Sequence, residues 1–307
     1  MKPFQHIGLL ALTMTLTFAG EACNICGCSI TSGAFNGIMP QFSKNIAGLR
    51  FSSQTYTHPN TDLNMNGNSR VLVDRYKLAD FWFRYYPSKR VQTFFYLPYK
   101  INERLETERS TLVGGVGDIS LSAYYTIVNT GDSLDRDIKV TWLTGGGVKL
   151  PTGKYQQRDD TKTILPVGIQ VGTGAYSLLL SQNLSARRNA LGINSQINYT
   201  INGKNELDYK LGNSFSGTLS FFYWKNFRNA KLLPNIGLTV EHFAKDKQYN
   251  LLLENSGSKN YVANIGLDVY MKQWIISVIY QKAFYQELSN SQPLGKYRLL
   301  MSIGHLF

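Results

Sequence analysis

From about residue 45 to the C-terminus, apolar and polar residues alternate along the chain with a period of two. Between residues 261 and 271 every second residue is apolar or aromatic, whereas Asn264, Gly266 and Asp268 between them are small or polar. This period places the two sets on opposite faces of a β-strand. The windows are longer than the five or six residues of an average soluble strand. About ten residues with one apolar face are what a tilted strand needs to cross a bilayer.

The pattern recurs in roughly twelve windows, which the two-residue period marks out. They are residues 45–56, 71–86, 90–103, 116–129, 137–150, 172–185, 189–202, 207–224, 231–244, 260–272, 274–286 and 296–307. An even number of strands is typical of bacterial barrels, and the sheet must close because an open edge in lipid leaves backbone groups unpaired. The sequence therefore predicts an all-β fold, a transmembrane antiparallel β-barrel of about 12 strands, within a range of roughly 10–14.

The connections between these windows alternate in length. Residues 87–89 and 272–273 are short links, whereas residues 58–70 and 151–166 are long ones. In bacterial barrels the short turns lie on the periplasmic side and the long loops lie outside. Residues 203–205 are an exception, because this link is short and yet falls on the outer side.

The last window has apolar or aromatic side chains on one face and ends on Phe307, with His305 where an aromatic residue is commoner. This ending resembles the C-terminal signal that the barrel-assembly machinery reads. A soluble protein would seldom leave such an edge strand without protecting charge. The sequence thus predicts the bacterial cell outer membrane as the location. The predicted partners are this machinery, outer-membrane lipid and lipopolysaccharide.

The N-terminus predicts export. Residues 1–22 combine a positive start, an apolar stretch and a small-x-small cleavage site, which are typical of a secretory signal peptide. Residues 23–44 would then form a periplasmic N-terminal segment, and residues 45–307 would form the outer-membrane β-barrel. Within the segment, residues 29–40 are small and apolar and could enter the barrel as a plug.

All the cysteines lie in that segment, at Cys23, Cys26 and Cys28. This C-x-x-C-x-C spacing can bring thiolates onto one soft metal, and copper or zinc are the candidates. A closed zinc site would need one more donor. A disulfide in an oxidising periplasm and a lipid on Cys23 are the alternatives, and the residues leave all of these open.

Composition excludes several other classes. A mean hydropathy of -0.20, with no apolar run of about 18 residues after the signal, argues against a helical membrane protein. No compact basic module accompanies the net charge of +12, so we expect no nucleic acid as a partner. His242 and Glu241 are adjacent and therefore point to opposite strand faces, which argues against a catalytic pair and predicts no enzyme activity.

The positive charge has two interpretations. Most cations fall in loops, where lipid phosphates are natural partners. The alternative is a lumen that selects anions. The inward candidates for that alternative are Arg84, Lys139, Lys149 and Arg298.

Two glycine-rich stretches, residues 145–153 and 168–176, overlap the end of the fifth window and the start of the sixth. They are not a phosphate-binding loop, because Lys154 is followed by Tyr155 rather than by Ser or Thr. Gly117-Asp118, the run KLPTG at 149–153 and the run QVGTGAY at 170–176 resemble the G-x-G-D, K-L-P-T-G and Q-x-G-T-G-S-x-D signatures of one outer-membrane barrel family. That family is named for the meta-cleavage pathway of phenol degradation and is similar to fatty-acid and toluene transporter barrels.

The resemblance implies a diffusion channel for small, often hydrophobic or aromatic molecules. Ala175 and Ser177 depart from the family pattern, which has Ser and Asp there. The candidate channel and loop residues are Lys149, Pro151, Thr152, Gly153, Gly172, Thr173, Gly174 and Tyr176.

The width of the barrel bears on this function. Barrels of about eight strands are filled by side chains, whereas wider ones leave room for a ligand or path. The sequence therefore predicts an outer-membrane β-barrel that acts as a passive channel or transporter for a small-molecule solute. The alternative is a metal-linked or structural barrel whose cysteine cluster binds metal or tethers a partner.

Overall fold

A computed structural model describes residues 44–58, 72–106, 110–130, 137–159, 162–288 and 292–307. The predicted signal peptide, the cysteine cluster and residues 29–40 lie outside these ranges. The described residues contain no helix long and apolar enough to cross a membrane.

The described chain consists of antiparallel strands joined by turns and loops. The strands are β1 Ile46–Thr57, β2 Val73–Ser88, β3 Val91–Leu105, β4 Ser110–Val116, β5 Ser120–Asn129, β6 Ile138–Lys149, β7 Ser177–Arg188, β8 Leu191–Asn202, β9 Tyr209–Lys210, β10 Ser214–Tyr223, β11 Lys225–Phe227, β12 Ala230–Phe243, β13 Lys247–Gln248, β14 Leu251–Leu252, β15 Ser258–Met271, β16 Trp274–Leu288 and β17 Leu294–Leu306. β4 and β5 both pair with β3 and form one wall strand. β10 and β11 both pair with β12 and form another.

The wall therefore has twelve strands, as the sequence predicted. The sheet closes because β1 pairs with β17, from Ile46 opposite Leu306 to Thr57 opposite Leu294. At the other junction β10 pairs with both β8 and β12. Closure removes the unpaired sheet edges that lipid would not tolerate.

The two faces of the wall have opposite character, as β15 illustrates. Ile265 and Leu267 point outward, with 59% and 42% of their surface exposed, whereas Asn264 and Asp268 point inward and are buried. A soluble barrel would have the reverse arrangement, because burial of apolar surface drives its folding. An apolar outside and a polar inside suit a barrel whose outer surface contacts lipid.

The eighth predicted strand begins later than its pattern indicated. The sequence window started at residue 207, but the wall strand β10 starts at Ser214. Residues 203–213 instead form an outer loop, in which β9 joins a small separate sheet with β13 and β14. The predicted exception to the loop-length rule therefore disappears, because this outer connection is long.

Candidate functional site

A single carboxylate ties the longest outer loop, residues 150–176, to the barrel wall. Asp118 lies between β4 and β5, and its side chain is 3% exposed. One carboxylate oxygen accepts the N–H of Gly153 at 3.0 Å. The other accepts the N–H of Thr173 at 2.9 Å and the hydroxyl of Thr173 at 2.6 Å. Hydrogen bonds to an ionised group are stronger than those between neutral groups, so Asp118 is an effective anchor for both ends of the loop.

Thr152 reinforces this anchor at the same break in the wall. Its hydroxyl donates to the carbonyl oxygen of Gly117 at 3.1 Å and accepts the N–H of Ile119 at 2.9 Å. The hydroxyl thus hydrogen-bonds backbone groups on both sides of Asp118. Backbone polar groups at a strand break need such partners when they are enclosed.

Glycines let the two ends of the loop touch. A Cβ on Gly153 would lie 2.7 Å from the Cα of Gly172, and a Cβ on Gly172 would lie 2.8 Å from the Cα of Gly153. Gly174 has a φ of 67° and lies against the ring of Tyr155, so a side chain there would be both strained and obstructed. The glycines of the two rich stretches therefore serve close backbone packing.

Beyond the anchor, the loop enters the outer end of the lumen. Ile169 and Val171 are fully buried there, and Asn102 of β3 donates its amide to the carbonyl oxygen of Ile169 at 2.7 Å. The side chains that surround them form an apolar cluster, here called the outer cluster. Its members are Tyr56, Tyr76, Val113, Leu165, Ile169 and Val171. The outer closure of the lumen thus combines wall residues with loop residues.

The periplasmic half of the lumen is filled differently. An apolar cluster, here called the inner cluster, draws its core from side chains of the wall strands. Its members are Ile46, Trp82, Phe94, Tyr96, Tyr124, Leu143, Phe222, Leu233, Tyr270, Ile275 and Leu306. Phe222 lies flat over Gly192, where any Cβ would overlap its ring. This closure has no loop in its core.

Polar side chains lie at the outer end of the lumen, where Asp74 is opposite Tyr56, and also further in, between the two clusters. Asp74 accepts two hydrogen bonds from Arg104, at 2.8 and 2.9 Å, and lies 2.9 Å from Nε2 of His58. Further in, Arg50 pairs with Asp80 and Arg298 pairs with Glu241. Because these lumen cations are matched by acids, the paired part of the lumen carries little net field. The sequence alternative of an anion-selective lumen therefore gains no support from Arg298.

The wall from β10 to β16 adds uncharged polar groups. The hydroxyls of Thr218 and Thr239 are 2.8 Å apart, and the amide of Asn264 donates to Thr239 at 2.8 Å. The amide of Gln281 then donates to Asn264 at 2.9 Å. These cross-strand pairs form a hydrogen-bonded ladder along the lumen face.

The structure brings five of the predicted loop residues together. Thr152, Gly153, Gly172, Thr173 and Gly174 all lie at or next to Asp118. The remaining predicted loop and lumen residues are more dispersed, and their positions follow. Lys149 is buried at the outer end of β6, Pro151 is the second residue of the loop, Tyr176 is 67% exposed beside β7, Arg84 is buried at the periplasmic end of β2, and Lys139 lies at the periplasmic start of β6.

Sequence reasoning missed the central residue of this site. Asp118 was visible as the acid of the G-x-G-D signature, but nothing local indicated what it binds. No local pattern indicated the contact between Asn102 and the buried Ile169, because these residues are 67 positions apart. The cysteines Cys23, Cys26 and Cys28 lie outside the described residues, so their metal, disulfide or lipid role stays a prediction. Within the described ranges no group of three or more metal-ligating side chains comes together.

A second outer structure is organised by another buried acid. Asp246 accepts a hydrogen bond from the hydroxyl of Tyr209 and one from the N–H of Gly212 at 2.7 Å. Its own N–H donates to Ser256 at 2.9 Å. Burial raises the pKa of the Asp246 carboxyl to about 6, although these hydrogen bonds oppose the rise. Asp246 thereby holds the small sheet of β9, β13 and β14.

Comparison with known proteins supports the fold. No family model matches the sequence, and no curated protein matches it. An outer-membrane channel from Pseudomonas putida F1 is similar in structure, with a TM-score of 0.65, 13% identity, and coverage of 88% of this chain and 100% of that one. The β-domain of a Bordetella autotransporter has a TM-score of 0.51 and 9% identity, and the match covers 86% of this chain and 100% of that one. The chain thus has the closed twelve-stranded fold of bacterial outer-membrane proteins, and its apolar outer wall places it in that membrane.

Proposed function

We propose that the protein is a passive channel for small hydrophobic or aromatic molecules, whose outer entrance opens when the loop of residues 150–176 leaves the lumen. The observation that carries this proposal is the anchor at Asp118, where one carboxylate holds both ends of the loop. A loop held by a few hydrogen bonds can open at a modest cost, in contrast to a closed sheet. The family resemblance of the same three motifs supports a diffusion channel.

The lining supports the choice of solute. A molecule that crosses this lumen must pass the outer cluster and the inner cluster, and both consist of aliphatic and aromatic side chains. A charged solute would lose its hydration at both places, and the nearby Arg50 and Arg298 are already paired with acids. A small apolar or aromatic solute would gain contacts instead. The likeness to the Pseudomonas channel supports the architecture only, because a fold does not fix a function.

The substitution Asp118→Asn tests the proposal. It places an NH₂ group where an N–H of the loop must be accepted, so at least one hydrogen bond to a charged group is lost. Such a bond contributes about 1.5–3 kcal/mol, which corresponds to roughly a tenfold to hundredfold larger open population of the loop. Uptake of a small aromatic fluorophore into proteoliposomes should rise accordingly.

A matched control separates this effect from a general change of outer charge. Asp208→Asn removes the charge of an exposed outer-loop acid, which forms only a surface ion pair with Lys204. It should leave uptake unchanged. If D118N is folded by circular dichroism and its uptake equals that of the wild type for every solute tried, the proposed channel entrance is wrong.

A further inference from the structure

The periplasmic end of the barrel contains a cavity lined by cations. Lys44, Arg228, Lys231 and Lys272 surround a space of about 410 Å³ inside the rim, and no acidic side chain of the described residues lines it. The ion pairs Arg50–Asp80 and Arg298–Glu241 lie further up the lumen and do not reach it. Like charges this close repel one another, so their arrangement favours an anion among them.

Acids from elsewhere do not neutralise this cavity. Among the described residues, Lys44, Arg228 and Lys272 form no ion pair. Two acids of the described chain lie toward this end. Asp268, two positions before Tyr270 on the lumen face of β15, does not line the cavity, and its carboxylate accepts hydrogen bonds from Asn235 and Ser277. Asp137 lies beside the start of β6. By strand order β6 lies across the barrel from the cavity, which sits between β11 and β1. Residues 23–43, which precede Lys44, contain no Asp or Glu.

Lys44 is fixed at the rim by its own backbone. The buried guanidinium of Arg84 donates to the carbonyl oxygen of Lys44 at 3.1 Å. The neighbouring Asn45 accepts the N–H of Tyr86 on its side chain at 3.0 Å, and its carbonyl accepts the N–H of Phe307 at 3.1 Å. The Lys44 ammonium therefore starts from a fixed position at the cavity.

Two of the cations stand where a turn would favour other residues. Arg228 and Lys272 each have a φ of 47°, in the left-handed region. Gly or Asn adopts this conformation at less cost than a long L-side chain does. Turn geometry therefore does not explain a cation at both positions, and the backbone strain points to a use for the charge.

The remaining lining supplies an aromatic floor and a hydrogen-bond donor. The ring of the lining residue Tyr270 stacks on the neighbouring Trp224, with ring centroids 6.4 Å apart. The N–H of Trp224 donates to the side-chain oxygen of Asn226, which also lines the cavity, at 3.2 Å. That bond leaves the amide nitrogen of Asn226 as the group that can donate to a ligand. The volume of the cavity falls within the usual range of about 300–1,000 Å³ for small-ligand sites.

We propose that this cavity, the periplasmic mouth, is a binding site for a phosphate-type oxyanion that carries more than one negative charge. Arg228 can bind two oxygens of such a group at once, and the three lysines add point charges around it. The oxyanion can be a lipid headgroup of the periplasmic leaflet or a soluble phosphate compound, because both present the same chemistry. The site does not require that the lumen be an open path.

Titration of the full-length protein in detergent with inorganic pyrophosphate tests the site. The variant R228N/K272N replaces both cations by asparagine, which tolerates the left-handed turn. The control K162N makes the same change at an outer-loop lysine with a φ of 64°. We expect the wild type and K162N to bind alike and the double variant to bind at least about tenfold more weakly, because charge-assisted contacts are lost. Absence of wild-type binding, or equal binding by all three folded proteins, overturns the proposal.

Repeating the titration in nanodiscs identifies the source of the anion. If phosphatidylglycerol weakens pyrophosphate binding relative to phosphatidylcholine, headgroups occupy the mouth. If both lipids give the same affinity, the site takes a soluble anion. Either result supports the proposal. Binding of polyglutamate by a wild-type protein that ignores pyrophosphate contradicts it and favours an acidic protein partner.

Discussion

The two ends of the lumen are both closed by apolar side chains, but they are built from different parts of the chain. The outer cluster takes Leu165, Ile169 and Val171 from a loop that hydrogen bonds hold in place. The core of the inner cluster comes from strands of the closed wall, with Phe222 pressed against Gly192. A loop can leave without unfolding the sheet, whereas the inner cluster can change only by rotation of its side chains. The difference indicates a movable outer closure and a fixed inner constriction.

The largest effect on stability should come from the inner cluster. Phe222→Ala leaves a cavity against Gly192 and should lower the free energy of unfolding by about 3–5 kcal/mol, as large-to-small core substitutions do. Urea unfolding in lipid vesicles measures this value. Ile169→Ala in the outer cluster is the contrasting variant. It should lower the protection of the loop against hydrogen exchange, while the barrel unfolds at nearly the wild-type urea concentration. Equal losses in the two variants would mean that the two ends are not distinct.

An intermediate effect should follow from crowding the loop anchor. Gly172→Ala adds a Cβ that overlaps the backbone of Gly153, and overpacking of this kind typically costs about 1–3 kcal/mol. Because the strain falls on the loop, we expect uptake of an aromatic fluorophore to rise in proteoliposomes. Gly114→Ala is the matched control, since its Cβ would be 3.7 Å from the nearest atom, an ordinary contact. Unchanged uptake in G172A would show that the loop ends can separate without opening the entrance.

A smaller effect should follow from loss of the contact deeper in the lumen. Asn102→Ala removes a hydrogen bond to the carbonyl oxygen of Ile169, and one neutral bond contributes about 0.5–1.5 kcal/mol. Loop protection in hydrogen exchange should fall by roughly an order of magnitude at most. Asn183→Ala is the control, because this lumen amide pairs with Asn194 and does not touch the loop. A loss in N183A equal to that in N102A would contradict a specific role for Asn102.

The smallest expected effect is a change with pH in the stability of the small outer sheet. The Asp246 carboxyl, whose pKa is about 6, holds its proton more tightly in the folded loop than in the unfolded chain. The small outer sheet should therefore be most stable in acid and lose stability as the pH rises from about 4 through about 6. Protection factors of β9, β13 and β14 at pH 4 and pH 7 measure this change. Asp246→Asn should abolish the difference, and a sheet that grows more stable toward pH 7 would contradict the sign.

The sequence could predict the wall because lipid and lumen are different solvents. Each strand has one face toward lipid and one toward the lumen. Apolar residues such as Ile265 and polar residues such as Asp268 therefore fall on opposite faces in every window. The largest displacement, Ser214 instead of residue 207, arose where a loop forms its own small sheet and mimics the alternation. The sixth window also began too early, at residue 172 instead of Ser177, because its first residues belong to the anchored loop. The number of strands and the outer-membrane fold were therefore predicted correctly.

The closure of the lumen could not be predicted in the same way. Asp118 and Thr173 are 55 positions apart, and the pairing of β5 with β6 and of β6 with β7 brings them together. The glycines at 153 and 172 were visible in the sequence, but nothing local indicated that their backbones touch each other. The paired charges of Arg298 and Glu241 likewise depend on which strands become neighbours, which no local pattern encodes.

Hydrogen exchange of the protein in nanodiscs, with the wild type and D118N compared peptide by peptide, tests the central claim most directly. The account predicts that peptides of residues 150–176 exchange at least about tenfold faster in D118N, since a bond to a charged group is lost, while peptides of β10 and β12 at the inner cluster keep their protection. If both ends change together, or if the loop stays as protected as the wall in D118N, then Asp118 does not hold a movable outer closure.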